Sequence, residues 1–296
     1  MNLTNYLQNE LSERTIKTYL YEIEKFKKHY RNPEKLNYQN LMEYVELLRK
    51  NYNPQSVKRT IYAIKKYYDY LVETGKIKIN IAANIKIKDG KENPIQLQEL
   101  LTEKELQKLL EPRKERYPIL EKRNQIIISL LVNQALLVGD IERLKTENVD
   151  LKNAKIRILK SGITNERILE LKAEQILLFY EYLKEERELL KTFRTENENY
   201  FLLGKLGTKI TSDDINYLVS TYKKNFTKKL TSITIRQSVI KLKLDQGENL
   251  RKVQYFAGHK NADTTEKYRE TGINALQTAV NQFHPLSNLV SFSKTD

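Results

Sequence analysis

Apolar residues in the first ninety positions recur at a helical period. Leu11, Ile16, Leu20, Ile23, Phe26 and Tyr30 predict one amphipathic helix, and Leu41, Tyr44, Val45 and Leu48 predict a second over about 37–50. A third helix opens at Asn53-Pro54, a capping residue followed by proline in the first helical position. Its apolar stripe is Val57, Ile61, Ile64, Tyr68 and Leu71. From about 75 to 100 the pattern breaks. Lys76, Lys78, Lys86, Lys88 and Lys91 stand among Asn80, Asn84, Gly90 and Pro94, the composition of a basic linker.

Beyond this linker the pattern is mixed. Thr102 and Glu105 form a capping-box pair that opens a helix running through Leu110. The run Ile126 to Val132 predicts a buried helix. Ile156 and Ile158, then Ile168, Leu169 and Leu171, predict two strands around the turn from Lys160 to Asn165. Helical patterns return at about 173–190, 212–226, 232–245, 249–257 and 261–269. The expected fold class is mainly α with a small β-sheet (α+β). Two domains are expected: residues 1–92, a helical domain with its basic linker, and residues 93–296.

Charge adds a partner to this outline. The 296 residues carry 52 Lys+Arg against 38 Asp+Glu, a formal net charge of +14. Residues 1–90 hold 17 of those cations and 10 of the anions, so the first third is more than twice as basic per residue as the rest. An excess of this kind favours nucleic acid or another anionic surface. Lys58 and Lys65, like Arg59 and Lys66, are seven residues apart and share a helix face that could lie along phosphates. With Lys86 and Lys88 they are the candidate DNA-binding residues; the competing reading is a solvated helix surface. The absence of cysteine excludes disulfides, Cys-ligated metal and thiol chemistry, and His29, His259 and His284 are too dispersed for a His-rich metal site. No phosphate-loop or dinucleotide motif is present, no apolar run is long enough to span a membrane, and Met1 to Glu10 does not read as a signal peptide. The expectation is a cytoplasmic protein that needs neither cofactor nor metal.

The most specific motif is Ala257-Gly258-His259-Lys260-Asn261-Ala262-Asp263-Thr264-Thr265-Glu266-Lys267-Tyr268. It resembles the closing motif of the tyrosine recombinases of the phage-integrase family, in which Gly-His, Thr-Thr and a nucleophilic tyrosine stand in this register. The resemblance covers most of the chain. Residues 1–90 look like the family's helical core-binding (SAM-like) domain, Leu101 to Leu106 like the opening of its catalytic domain, and Lys160 like its β-hairpin lysine. Arg236, at the end of Leu230-Thr231-Ser232-Ile233-Thr234-Ile235-Arg236, falls on the arginine of its His-x-x-Arg box. Two positions depart. The first arginine box, usually Thr-Gly-Leu-Arg-x-x-Glu, reads Gln134-Ala135-Leu136-Leu137-Val138-Gly139-Asp140, with leucine where the arginine belongs; in the second box Ile233 takes the histidine position.

The resemblance implies a reaction. A tyrosine phenol attacks a DNA phosphodiester to give a 3′-phosphotyrosine and a free 5′-hydroxyl, conserving bond energy without ATP or metal. On this pattern Tyr268 is the nucleophile and Lys160 the general acid to the leaving oxygen. Arg236 and His259 hold the phosphate oxygens, and Asp140 positions Arg236 or His259. Arg143 and Arg123 are the nearby candidates to replace the arginine absent at Leu137, each with a plain surface role as the alternative. Structural readings compete at the other positions too: a packing tyrosine for Tyr268, a satisfied core histidine for His259, a buried ion pair for Arg236, a solvated turn lysine for Lys160, and a helix cap for Asp140. Ile273, Leu276, Val280 and Phe283 predict a C-terminal helix, which in the family is often donated to a neighbouring subunit to close a tetramer on DNA. The implied function is that of an integrase or transposase of a mobile element. The alternative is a catalytically impaired DNA-binding relative acting as an architectural or regulatory subunit; a type IB topoisomerase fits the length and register less well.

Overall fold

A computed structural model of the chain describes residues 2–87, 95–193 and 199–269. The chain divides into two compact units, Met1–Pro94 and Ile95–Asp296. Among its described residues the first has four α-helices: α1 (Leu3–Gln8), α2 (Glu13–His29), α3 (Tyr38–Asn51) and α4 (Pro54–Glu73). Their ends are set by side chains. Ser12 caps α2, Asn37 and Asn40 form a capping box on α3, and the Asn53 side chain accepts from the Ser56 amide at the start of α4. Lys27, Lys28 and His29 sit in the last turn of α2, where cations complement the helix dipole. The three long helices fall where the apolar period predicts them; α1, a single short turn-and-a-half, was not signalled.

The core of this unit is aromatic. Phe26 packs edge-on against Tyr30, Tyr44 and Tyr68, with ring centroids 5.5, 5.2 and 6.3 Å away. Two of the phenols find backbone acceptors: Tyr68 donates to the Pro33 carbonyl (2.7 Å) and Tyr30 to that of Asn40 (3.1 Å). Glu22, buried beneath α4, accepts from Arg59 (3.1 Å) and Thr60 (3.0 Å), so its charge is paired.

The second unit is built around α6 (Glu121–Asn133), in which Ile126, Ile127, Ile128, Leu130 and Leu131 are all buried. Before it comes α5 (Glu103–Leu110), opened by the Thr102–Glu105 capping box, and after it the short α7 (Val138–Arg143). A three-stranded antiparallel sheet follows in the order β1 (Val149–Asp150), β2 (Lys155–Ile158), β3 (Arg167–Glu170), with Ile156 opposite Leu169 and Ile158 opposite Arg167. The sequence predicts β2 and β3; β1 is two residues long and gives no periodic signal. The pattern at 173–190 resolves into α8 (Ala173–Lys184) and α9 (Glu186–Lys191), and that at 212–226 into α10 (Ser212–Thr221) and a short 3-10 turn. Then come α11 (Ser232–Asp245), α12 (Leu250–Ala257) and α13 (Ala262–Glu266). Among the described residues no helix is long and apolar enough to cross a membrane. The fold is therefore mostly helical with one small antiparallel sheet.

Candidate active site

Backbone pairing brings the hairpin turn to the closing motif. Thr164 forms an antiparallel bridge with His259, the Asn165 amide donates to the Gly258 carbonyl (2.9 Å), and Lys260 donates to the carbonyl of Gly162 (2.7 Å). Gly258 ends α12 in the left-handed conformation (φ 71°), which a glycine adopts without steric penalty. Space demands glycine here as well. A Cβ on Gly258 would lie 2.5 Å from Nη1 of Arg167 and 2.9 Å from its Cζ.

The buried charges gather around this turn. Arg236, on α11, donates through Nη1 to the carbonyl of Ala135 and through Nη2 to that of Ala257 (2.6 Å). It is buried, but held by carbonyls rather than by the ion pair that was the structural alternative. Burial and then the charge of Arg167 lower its proton affinity, to a pKa of about 10, so it stays protonated at neutral pH. Its partner Ala135 is left-handed, with φ 49°. This is the position where the family motif has glycine, and an alanine there is strained. Asp140 does not cap α7, whose N-cap is Leu137. Its carboxylate accepts from Arg167 (3.1 Å) and Arg143 (3.0 Å). Among the described residues Asp140 makes no hydrogen bond to Arg236 or His259; it pairs with Arg167 and acts on Arg236 through its charge.

His259 shares its Nδ1 with the hydroxyl of the fully buried Thr265 (2.9 Å). Burial, then Arg236 and Arg167, lower its pKa to about 4, which keeps the imidazole neutral near pH 7. The Tyr268 ring lies nearly parallel to it (12°), with centroids 6.3 Å apart. Tyr268 is 7% exposed. Burial raises its pKa, while Arg236 and a side-chain hydrogen bond with Gln237 pull the other way. The sequence reading passed over both Arg167 and Gln237. Gln237 adjoins Arg236 in the second box, a position that could have been tested; Arg167 shares its strand face with the apolar Leu169 and Leu171, which was the signal for its burial.

The remaining predicted residues divide. Lys160 is exposed on the turn and makes no ion pair among the described residues. Leu137 is half-buried and Ile233 exposed, so neither is simply a core residue. Arg143 folds back over Gly139 to Asp140 with its side chain half-exposed. Arg123 is buried and commits its guanidinium to the Leu203 carbonyl (3.2 Å) and Asn124 (2.7 Å). It is not the surface arginine that its alternative reading supposed.

In the first unit the pairs Lys58/Lys65 and Arg59/Lys66 also separate. Arg59 is paired with Glu22 and Lys66 with Glu10, whereas Lys58, Tyr62, Lys65 and Lys86 line one cavity of about 240 Å³ together with Ile61, Ile85 and Ile87. The other linker candidate, Lys88, and the predicted C-terminal helix with Ile273, Leu276, Val280 and Phe283 lie outside the described residues.

The family model of the phage integrase family matches residues 99–273, and that of the phage integrase N-terminal SAM-like domain matches residues 2–75. The chain belongs to the phage integrase family: it is a tyrosine site-specific recombinase with a SAM-like N-terminal domain. Among curated relatives it is 25% identical to tyrosine recombinase XerC of Thermodesulfovibrio yellowstonii over 96% of both chains. It is 27% identical to tyrosine recombinase XerD of Listeria innocua over 94% of this chain and 95% of that one. Among solved structures the fold is similar to that of XerH site-specific recombinase bound to a palindromic difH substrate (TM-score 0.69, 20% identity, 91% of this chain and 80% of that one). It is also similar to the Tn1549 transposon integrase in complex with circular intermediate DNA (TM-score 0.65, 15% identity, 95% of this chain and 99% of that one).

Proposed function

We propose that the chain breaks and rejoins DNA at specific sites through Tyr268, as the integrase or transposase of a mobile element in the cytoplasm. The observation that carries the reading is the convergence of Tyr268, His259 and Arg236 around the Gly258 turn, with the hairpin of Lys160 bridged to the same turn. The Tyr268 oxygen attacks phosphorus as its proton passes to water, the bond from phosphorus to the 5′-oxygen breaks as the 3′-phosphotyrosine forms, and the 5′-oxygen leaves with a proton from Lys160. Burial makes the phenol hold its proton; the neighbouring Arg236 charge lowers that cost. In the tautomer whose Nδ1 accepts from Thr265, neutral His259 carries its proton on Nε2 and donates to a non-bridging oxygen. Arg236, permanently charged and fixed by two carbonyls, offsets the charge that gathers in the transition state. Asp140 pairs with Arg167 and acts on Arg236 through its charge. No residue here requires a metal or a cofactor.

Lys58, Lys65 and Lys86 are read as the phosphate-gripping face of the first unit, with Tyr62 between them and Lys88 as its continuation. Arg59 and Lys66 contribute less, because acidic partners already hold them. Four protomers joined through their C-terminal helices would synapse two sites and exchange strands.

The test is a nicked suicide substrate carrying sequence from the DNA flanking the gene. Wild type should form a covalent adduct on a denaturing gel, and Tyr268→Phe should form none. DNA retardation with no adduct would refute the reading. That outcome would favour the second reading, an architectural or regulatory DNA-binding subunit, which draws its support from the uncharged side chains at Leu137 and Ile233.

A further inference from the structure

We propose that Arg167 is a positioning residue of this site: its buried guanidinium ties the Asp140 helix to the Gly258–His259 turn and keeps there a fixed positive charge, offsetting the charge missing at Leu137. The proposal rests on the reading of Tyr268, His259 and Arg236 as the reacting groups.

Arg167 is the first residue of β3, and its side chain is fully excluded from solvent. It cannot touch a phosphate and so does not act on one directly. Nη2 donates to Asp140 (3.1 Å) and Nη1 to the Asn165 carbonyl (3.3 Å), while Nε is buried with no partner. The guanidinium fills the space that the missing Cβ of Gly258 leaves open. Three segments therefore meet on one group: α7, whose N-cap is Leu137; the strand that follows the Lys160 turn; and the turn that presents His259.

Energetics argue against a plain structural strap. Burying a guanidinium costs several kcal/mol, and an orphaned N–H adds to that cost. An apolar side chain of similar volume could fill the space at lower cost. What only a cation supplies is a field. The charged or titratable groups that bear on the imidazole are Arg236 from α11, Arg167 from β3 and the nearly parallel ring of Tyr268. Lys260 is drawn off to the Gly162 carbonyl. Arg167 disfavours protonation of both His259 and Arg236. Asp140 balances one of the two buried arginines, leaving one net positive charge where phosphate oxygens would gather.

The experiment compares Arg167→Lys and Arg167→Met in the full chain. The His259 ring protons are titrated by NMR, and adduct formation is timed in single turnover on the nicked substrate. The Met variant should raise the His259 pKa and slow the adduct by about a hundredfold. The Lys variant should keep the low value and recover at least tenfold of the rate. An unchanged His259 titration in folded Met variant, or equal behaviour of Lys and Met, would overturn the proposal. If Arg167→Met alone does not fold, Arg167→Gln, which is neutral but keeps a donor for Asp140, takes its place and should show the same rise; a wild-type titration there would also overturn it. The titration needs neither DNA nor cleavage. A wild-type chain that forms no adduct refutes the catalytic reading, and the titration still decides whether Arg167 sets the charge at His259.

Discussion

In the first unit, Phe26, Tyr44 and Tyr68 form the centre and the only buried charge among the described residues is Glu22, whose partners reach it from α4. The second unit has an aliphatic core and buries Arg123, Arg167, Arg187 and Arg236. One unit keeps its cations in water and the other has withdrawn four of them from it. Exposed cations are screened by salt and move with their side chains; buried ones are fixed and act at low dielectric. The first arrangement suits grip on a polyanion of changing sequence. The second suits stabilisation of charge at one point.

The contrast can be broken most sharply at Arg236. Arg236→Met should slow adduct formation by about 10²–10³ while leaving retention of DNA at low salt intact. An equal fall in both would mean that Arg236 is structural. Next in size is acid sensitivity of the second unit. Folded His259 has a pKa of about 4 against 6.5 for the ordinary side chain, so between these values the unfolded chain binds more protons. Stability is then complete above pH 6.5 and falls as the pH drops towards 4, by about 3 kcal/mol. Urea midpoints at pH 7 and 4.5 should differ accordingly, and His259→Gln should flatten that part of the difference.

Salt sensitivity belongs to the first unit. Replacing Lys58, Lys65 and Lys86 together with glutamine should weaken DNA binding on the order of tenfold and reduce the slope of log affinity against log salt by up to about 3. The same change at Arg59 and Lys66 should cost less affinity and more stability, since both hold acidic partners. The smallest effect is at Ala135. Glycine adopts φ 49° without strain, so Ala135→Gly should raise stability by about 0.5–1 kcal/mol, read as a higher melting temperature.

Much of this was legible in the chain itself. Helices α2, α3 and α4 follow apolar periods with capping residues at their starts, so local chemistry and burial agree. The register of Gly258, His259, Thr264, Thr265 and Tyr268 was visible because it is contiguous in sequence. Contacts between distant segments were not. A spacing of seven puts Arg59 and Lys66 on one stripe but is silent on what faces it, and Glu22 and Glu10 come from elsewhere in the unit. The break at Glu185 that separates α8 from α9 is a single residue in an unbroken helical pattern. Alternation puts Arg167 on the strand face of Leu169 and Leu171 but does not say what meets its charge there. Its burial is fixed by Asp140 and Gly258, 27 residues before it and 91 after it.

The bridge from Thr164 to His259 has a consequence for engineering. Hairpin and closing turn share a backbone bond, the Lys260–Gly162 clasp and the Arg167–Gly258 fit, so they form one exchangeable part. A chimaera that imports a relative's hairpin must import residues 255–268 along with it, or the two halves will be cut to different templates.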